Sequence, residues 1–453
     1  MLGVKRLAFV YHPRSFATME LCAAAQGVCE LVWVVDHDRG ETASMVRLLH
    51  RLGDVVDVTG LSPADAAAAI GAARPEGILA LHDALLPWTA AVAERLGLAF
   101  HTPQTAQRLA DKRAQRAALA AAGLPVPAVW PVPPARDRGA MRALLGAARF
   151  PAVLKPRVSE SSRNTIRVDS RAELEFALRD VARHAPTDRA ALLLEEYLQD
   201  RPGAATSGDR LADVVSVETA VSGGCSRHLA VTGRFPPAAP FRETGMFLPA
   251  ALALEDHHAV LDLATATAAA LGVEQGCLHT EVKLTPDGPR LIEVNGRVGG
   301  GIPEMLRAAA GVELLPIALR LALGAQDEIA PLPATTGVAY ALYRQMPQDM
   351  RKITAVEGLD ALRARPDVDH VVLYRGPGAE VDWRVGTESS IFEVTGVVAD
   401  HRALLDLRRA VEHDIVVLGD RAPRPASLTS RAVGALHALA AMPLVGASGN
   451  PLM

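Results

Sequence analysis

The chain has 453 residues, a net charge of −4, 49% hydrophobic and only 4% aromatic residues. That length supplies core for about three domains, whereas the lack of a basic field and of stacking platforms argues against nucleic acid as a partner. The first apolar run is too short for a signal peptide or membrane span, and the four cysteines show no CxxC spacing, so a cytoplasmic protein without membrane contact or a zinc site is expected.

Residues 5–101 alternate β-rich runs (6–11, 30–35, 54–58, 77–81 and 98–101) with Ala- and Leu-rich helical stretches, the rhythm of a parallel α/β sheet. Ser62-Pro63 and Thr102-Pro103 are N-cap plus N1 pairs that open two of those helices. The turn after the first run, His12-Pro13-Arg14-Ser15, lacks the glycines that let a backbone approach a pyrophosphate, so this is not a dinucleotide domain of the usual kind. His12, Arg14 and Ser15 are either ordinary loop residues or contacts to part of a substrate. A single helix is predicted from Pro103 through Asp111, Lys112 and Arg116 to Gly123.

A helix over 136–149 leads to a strand over 150–156 that carries Lys155 near its end. Residues 159–165 are polar and contain no glycine; they form either a plain hairpin turn or a hydroxyl- and amide-lined flap over phosphates. After a helix over 171–182, the strand 191–198 runs into Glu195, Glu196, Tyr197 and Leu198, and residues 199–211 read as a surface loop. Strands follow over 213–220 and 227–234. Residues 235–249, with Pro236, Pro237, Pro240 and the run Phe241-Arg242-Glu243-Thr244-Gly245, are expected as a long irregular lid. A helix over 256–271 precedes the most informative stretch.

Residues 278–284 and 290–295 alternate as two strands, with Leu278, Val282, Leu284, Ile292 and Val294 on one face and His279, Glu281, Lys283, Glu293 and Asn295 on the other. A three-residue loop, Pro286-Asp287-Gly288, is expected to join them and to set Glu281 opposite Glu293. Like charges so placed are tolerated if one carboxylate is protonated, if Lys283 or Arg297 neutralises the pair, or if both bind a divalent cation; the metal reading is preferred, with Asn295 as a third oxygen donor. Beyond it, Arg297 and the run Gly299-Gly300-Gly301 precede a helix starting at Pro303, a fixed cation beside an anion-binding helix start.

Helical residues run on to 323, a break follows at 331–336, and residues 337–419 read as an α+β unit with strands at 337–343, 370–374, 391–398 and 415–418 and helices at 357–363 and 400–412. A last helix over 427–441 ends the chain. The expected domains are 1–105 (parallel α/β), 106–195 and 196–335 (the two halves of a central unit, the second holding the hairpin), 336–420 (α+β) and a tail, 421–453.

From Asp111 to Gly301 the chain resembles the ATP-grasp superfamily of carboxylate–amine ligases, and the run VDWRVGTESSIFEVTGVV at 381–398 resembles its L-amino-acid ligase branch. The resemblance implies a multidomain ATP-grasp fold with a Rossmann-like amino-terminal domain. Lys112 and Lys155 would reach the phosphates of ATP, with Ser161, Ser162 and Arg163 as flap contacts. Glu195, Glu196, Tyr197 and Leu198 would bracket the adenine, and Asp213 would lie near the ribose. Glu281, Glu293 and Asn295 would hold Mg²⁺ (Mn²⁺ as the alternative ion), and Arg297 would stabilise an acyl-phosphate and the intermediate that follows. Glu293 and Lys155 would act with Arg297 as the catalytic set. Substrate contacts are expected from Arg297, Gly299, Gly300, Gly301, His279 and Glu243, with two amino acids as substrates and a homodimer compatible with the reading. A carrier-protein thiol as acceptor, or a regulatory nucleotide-binding protein without turnover, are the alternatives. One departure stands out: family members carry glycines in the phosphate flap, and residues 159–165 carry none.

Overall fold

In the computed structural model, which describes residues 4–38, 43–134, 136–184, 191–201, 211, 213–326 and 334–421, the amino-terminal rhythm becomes a four-stranded parallel sheet. Its order is Asp54–Asp57, Glu30–Val35, Arg6–Val10, Gly77–Ala80. The anticipated caps are made: Ser62 accepts from the Asp65 N–H at 3.3 Å and Thr102 from the Thr105 N–H at 3.1 Å. The run 98–101 is not a fifth strand. Helix Leu314–Ala322 closes the open edge instead, so tightly that a Cβ on Gly77 would meet the Ala322 carbonyl at 2.4 Å. With no edge to join, 98–101 is a loop whose His101 turns inward, its Nε2 3.5 Å from Gly296 O. The predicted helix 427–441, most of the loop 199–211 and part of the break 331–336 lie outside the described residues.

A second sheet is antiparallel, in the order Val129–Pro131, Leu192–Glu196, Ala152–Pro156, Ile166–Val168. Helices Arg138–Ala147 and Arg171–His184 cover it through Leu144, Leu174, Leu178 and Val181. The third sheet has eight strands, all antiparallel, in the order Gly288–Asn295, Gln275–Thr285, Val214–Ser222, Cys225–Arg234, Gly245–Leu248, Val338–Tyr343, Phe392–Val398, His370–Leu373.

Two expectations change in that sheet. Residues 235–249 are not irregular throughout, because Gly245–Leu248 is a central strand, too short and too buried for an alternating pattern to mark it. The unit 336–420 has no large sheet of its own: Gly245–Leu248 pairs with Val338–Tyr343, so its strands extend the sheet that begins with the hairpin. A separate two-stranded ribbon, Met350–Glu357 with Val416–Arg421, was not legible because its first strand, MRKITAVE, mixes charge and apolar residues without strict alternation. One continuous core joins the amino-terminal sheet (Leu7, Phe9, Trp33) to Met305, Leu306 and Leu319 and to Ala339 and Ala341 of the large sheet. Among the described residues no helix is long and apolar enough to cross a membrane.

The single helix expected from Pro103 is two, Pro103–Ala110 and Lys112–Ala121, broken where Asp111 takes extended dihedrals (φ −110°, ψ 109°). Asp111 caps the second helix, accepting from the Arg113 N–H at 2.9 Å, and pairs with Arg157. The break turns Lys112 toward the large sheet instead of along a continuous helix. Asp111→Ala should therefore lower stability by about 1–2 kcal/mol through loss of the cap, read as a shift in urea midpoint; an unchanged midpoint would show that the break is held by other contacts.

Candidate active site

The hairpin sets Glu281 opposite Glu293, as expected, but by another route. The turn has two residues, Pro286 and Asp287, with Thr285 paired to Gly288, and that register alone would misalign the glutamates by one position. A bulge between Glu281 and Val282 on this ladder, with Ile292 as the unpaired extra residue, restores the match. As a result Leu291, not Ile292, is the buried core residue, and the Ile292 carbonyl is free to accept from Arg116.

Neither Lys283 nor Arg297 forms its ion pair with the carboxylate pair. Lys283 Nζ lies 2.5 Å from Asp200, and Arg297 Nε donates to Asp83 at 2.8 Å. The counter-ions are Lys112, 2.8 Å from Glu293, and His279, whose Nε2 is 3.5 Å from Glu281. His279 is gripped on its other side by buried Glu218, with Nδ1 2.5 Å from Oε1. Burial alone would lower the imidazole, but the charge and hydrogen bond of Glu218 outweigh it and raise its pKa to about 9. Burial would likewise raise Glu281, yet the bond from His279 and the nearby Arg234 and Lys112 bring it to about 2. Asn295 donates to Glu293 at 3.2 Å and to Asp83 at 3.3 Å.

Lys155 ends its strand against Glu195 at 2.6 Å, and Arg116 Nε sits 3.2 Å from the same carboxylate. Burial pushes Glu195 up, and the two cations more than reverse it. Glu195 thus serves as the counter-ion of Lys155, and its backbone lies between two neighbouring strands, with the pairing to Ala152 carrying the strand on to Glu196. There the Glu196 and Tyr197 N–H groups donate to Ala128 O and Pro151 O, and among the described residues no acceptor faces the Leu198 N–H. The Tyr197 ring lies under Arg167, and Asp213 accepts from the Arg201 N–H at 3.2 Å while lining the same cleft. Gln115 bolts helix Lys112–Ala121 to the hairpin, donating to Val294 O at 2.9 Å and accepting from Val294 N–H at 3.1 Å.

The glycine-free flap solves its conformational problem directly. Ser161, Ser162 and Asn164 all take left-handed dihedrals, φ 55°, 55° and 52°, at a cost of about 1–2 kcal/mol each. The loop 383–390 holds them there: the Thr387 N–H donates to Ser161 O at 2.8 Å, the Asn164 N–H donates to Arg384 O at 3.3 Å, and Glu388 bridges Arg163 and Arg14. Ser161 and Ser162 line the cleft; Arg163 is committed to Glu388 instead. Gly299 is also reassigned, because its N–H points to Glu218 at 3.4 Å and a Cβ there would meet His279 Nδ1 at 2.5 Å. Gly300 and Gly301 do line the cleft.

Together Lys112, Lys155, Ser161, Ser162, Glu195, Glu196, Tyr197, Leu198, Asp213, Glu243, His279, Glu281, Glu293, Asn295, Arg297, Gly300 and Gly301 border one cavity of 1650 Å³. Sequence reasoning missed Glu218, Arg234, Asp83 and His82, which come from three other segments, and within the flap it passed over Glu160. Glu160 is 2.8 Å from His82, whose ring stacks at 3.6 Å on His12; burial and the charge of His82 hold His12 down at about 4. Only the acidic residue inside an otherwise uncharged and buried strand, Glu218 in VVSVETAVS, carried a local signal. The donor set suits a hard ion: among the described residues there is no cluster of three His, Cys, Asp or Glu, but two facing carboxylates and an amide remain, which is how Mg²⁺ is held when phosphate oxygens complete its shell.

Residues 148–304 match the family model described as an ATP-grasp domain. An uncharacterized protein of Sinorhizobium fredii, y4rH, is 29% identical over 319 residues, 68% of this chain and 61% of its own length. The alanine–anticapsin ligase of Bacillus subtilis is 30% identical over 220 residues, 47% of this chain and 46% of the ligase. The chain thus spans less than two thirds of either relative. The crystal structure of an L-amino acid ligase from Bacillus licheniformis matches with a TM-score of 0.70 at 21% identity, over 92% of this chain and 99% of that one. The chain carries an ATP-grasp domain and has the ATP-grasp fold, as the resemblance implied.

Two substitutions probe the framework. Glu195→Ala leaves Lys155 and Arg116 buried without their carboxylate and should cost about 3–5 kcal/mol in urea unfolding; a loss under ~1 kcal/mol would mean that water screens the cluster. Gly386→Ala places a Cβ 2.0 Å from Ser161 O at a φ of +77°, so tryptic cleavage at the flap should accelerate about tenfold, tracking its opening, and an unchanged rate would show that loop 383–390 does not hold the flap.

Proposed function

We propose that this chain is an ATP- and Mg²⁺-dependent carboxylate–amine ligase that joins two amino acids as a dipeptide and releases ADP and phosphate. The observation that carries the reading is the convergence of the facing carboxylates Glu281 and Glu293 with Asn295, Lys112 and Arg297 on one wall of a single cleft. The similarity to an alanine–anticapsin ligase and to an L-amino acid ligase supports it.

Glu281, Glu293 and Asn295 would hold the ion, after the Asn295 amide rotates to present its oxygen. An ion held there would supply charge neutralisation for the transferring phosphoryl group. Lys112 and Lys155 are placed to leave Glu293 and Glu195 for phosphate oxygens. A donor carboxylate oxygen attacks the γ-phosphorus, the bond from that phosphorus to the β–γ bridging oxygen breaks, and an acyl-phosphate and ADP result. The acceptor nitrogen then adds to the acyl carbon, the carbon–oxygen bond to phosphate breaks, and the amine gives up a proton as the amide forms. Arg297, fixed by Asp83 and by donation to Val298 O at 2.9 Å, offers its remaining donors to the developing oxyanion without reorganising. The left-handed flap residues remove the main reason for a non-catalytic regulatory reading, since a glycine-free flap still reaches the conformation that glycine favours.

Incubation of the protein with ATP, Mg²⁺ and an amino-acid pool should give ADP and a dipeptide by mass spectrometry; AMP as product would overturn the acyl-phosphate route. Arg297→Lys should retain nucleotide affinity and lose about 10²–10³ in ligation rate, and equal loss of both would assign Arg297 to structure alone. Glu293→Gln should abolish Mg²⁺-dependent turnover, and a wild-type rate would remove Glu293 from the metal site.

A further inference from the structure

On the ligase reading, the attacking amine enters as an ammonium at neutral pH and must lose a proton before its lone pair can reach the acyl carbon. Most acids about the reacting centre are engaged already. Glu281 and Glu293 are the facing pair proposed for the ion, Glu195 holds Lys155, Asp83 holds Arg297, and Glu243 lies against Arg234. Glu160, at the start of the flap, is held by a histidine instead. Its Oε1 lies 2.8 Å from His82 Nε2, and its Oε2 has no hydrogen-bond partner among the described residues. The side chain is 20% exposed and borders the cleft.

The fold explains why His82 stands there. Strand Arg6–Val10 pairs with Glu30–Val35 on one side and Gly77–Ala80 on the other, so the strand order reverses between Arg6–Val10 and Gly77–Ala80. Open α/β sheets bind ligands at the carboxyl ends of the strands at such a switch point. His12 and His82 follow those two strands and stack at 3.6 Å, which fixes the His82 ring, itself 6% exposed. The other charged or titratable groups facing Glu160 are Arg297, His12 and, through the carbonyl of neighbouring Ser159, Lys112. Burial alone would raise Glu160, but the bond and charge of His82, followed by the charges of Arg297 and His12, lower it. An ionised carboxylate thus stands close enough to Arg297 to feel its charge, beside the group that would receive the developing oxyanion.

We propose that Glu160 receives the ammonium of the acceptor and takes its proton, and that His82 is the positioning residue that holds Glu160 for this step. The assignment rests on the ligase reading and adds a catalytic residue to it. One N–H bond of the ammonium breaks, its electron pair stays on nitrogen for attack at the acyl carbon, and the proton goes to Glu160 Oε2. Departing phosphate or water then takes the proton from Glu160 and restores its anion. Because Glu160 belongs to the flap, activation of the nucleophile is tied to the flap position that borders the cleft.

The test uses the full chain with ATP, Mg²⁺, an amino-acid pool as donor and two kinds of nucleophile. Amino acids are ammonium ions at neutral pH; hydroxylamine is largely unprotonated there and traps an acyl-phosphate as hydroxamate. At neutral pH, Glu160→Gln should lower kcat with amino acids by about 100-fold and hydroxamate formation by less than about threefold. The loss with amino acids should narrow to about tenfold or less above the pKa of the amine, where free base no longer has to be made. Glu160→Asp, which keeps a carboxylate and guards against a folding failure, should retain more activity with amino acids than Glu160→Gln. His82→Ala should lose about tenfold with amino acids and little with hydroxylamine, and His82→Gln should restore part of it. Equal losses with both nucleophiles would place Glu160 in activation, donor binding or flap structure and overturn the proposal. So would a loss with amino acids that stays constant as pH rises. No ADP release by the wild type with either nucleophile would sink the ligase reading itself and this assignment with it.

Discussion

Two glutamates facing each other across an antiparallel ladder set the terms for the rest of this molecule. At the separation of cross-strand neighbours, like charges repel unless a cation lies between or beside them. Here Lys112 and His279 do that work, and each is positioned by a separate structural device. Lys112 depends on the helix break at Asp111, and His279 depends on Glu218, buried two strands' width into the sheet. The helix start, the central strand and the edge hairpin are therefore coupled through one electrostatic requirement.

The requirement is met in a form that can be exchanged. Lys112 sits on Glu293, Lys155 on Glu195 and Arg297 on Asp83, so each of these cations is held by an acid of its own. Buried ion pairs of this kind add little stability over an apolar replacement, because desolvation cancels most of their attraction, but removing one partner is expensive. On the proposed function their value lies in preorganisation: cations and carboxylates are already desolvated and aimed, and a polyanion with a divalent ion would swap one set of pairings for another. Gln115 and Arg116, bonded to Val294 and to the Ile292 carbonyl, keep the helix and hairpin in step while that happens.

Much of this was legible in the sequence, and the rest was not, for physical reasons. Alternation placed His279, Glu281, Lys283, Glu293 and Asn295 on one face, and Ser-Pro and Thr-Pro pairs marked helix starts, because these are local properties of strand pleat and cap geometry. The register of the hairpin was right for the wrong cause: a two-residue turn and a bulge at Ile292 replace a three-residue loop, two deviations that cancel. Asp111 read as one helical residue among many, since nothing local distinguishes a capping aspartate in mid-helix from a surface one. Glu218, Asp83, His82 and Arg234 reach the site from other strands and loops, so their roles depend on topology that no window of sequence contains.

The flap shows how a local rule is broken when another part of the chain compensates. Glycine enters left-handed dihedrals without steric cost, so family flaps use it; Ser161, Ser162 and Asn164 adopt the same region at a combined cost of a few kcal/mol. The compensation lies more than two hundred residues away in loop 383–390, where Gly386 supplies the closeness that the flap itself lacks, passing its backbone against Ser161 O at a distance no side chain allows. The glycine stands in the clasp and not in the flap. That arrangement requires the carboxyl-terminal strands to be rigid with the large sheet, which they are, because Val338–Tyr343 and Phe392–Val398 are paired into it. A flap with glycines is free to sample closure on its own, whereas this one is held by a structural neighbour, so its opening is coupled to the loop that also carries Thr387 against the Glu243 N–H. The flap and the Glu243 side of the cleft thereby share one fastening, loop 383–390, through which a change at either reaches the other.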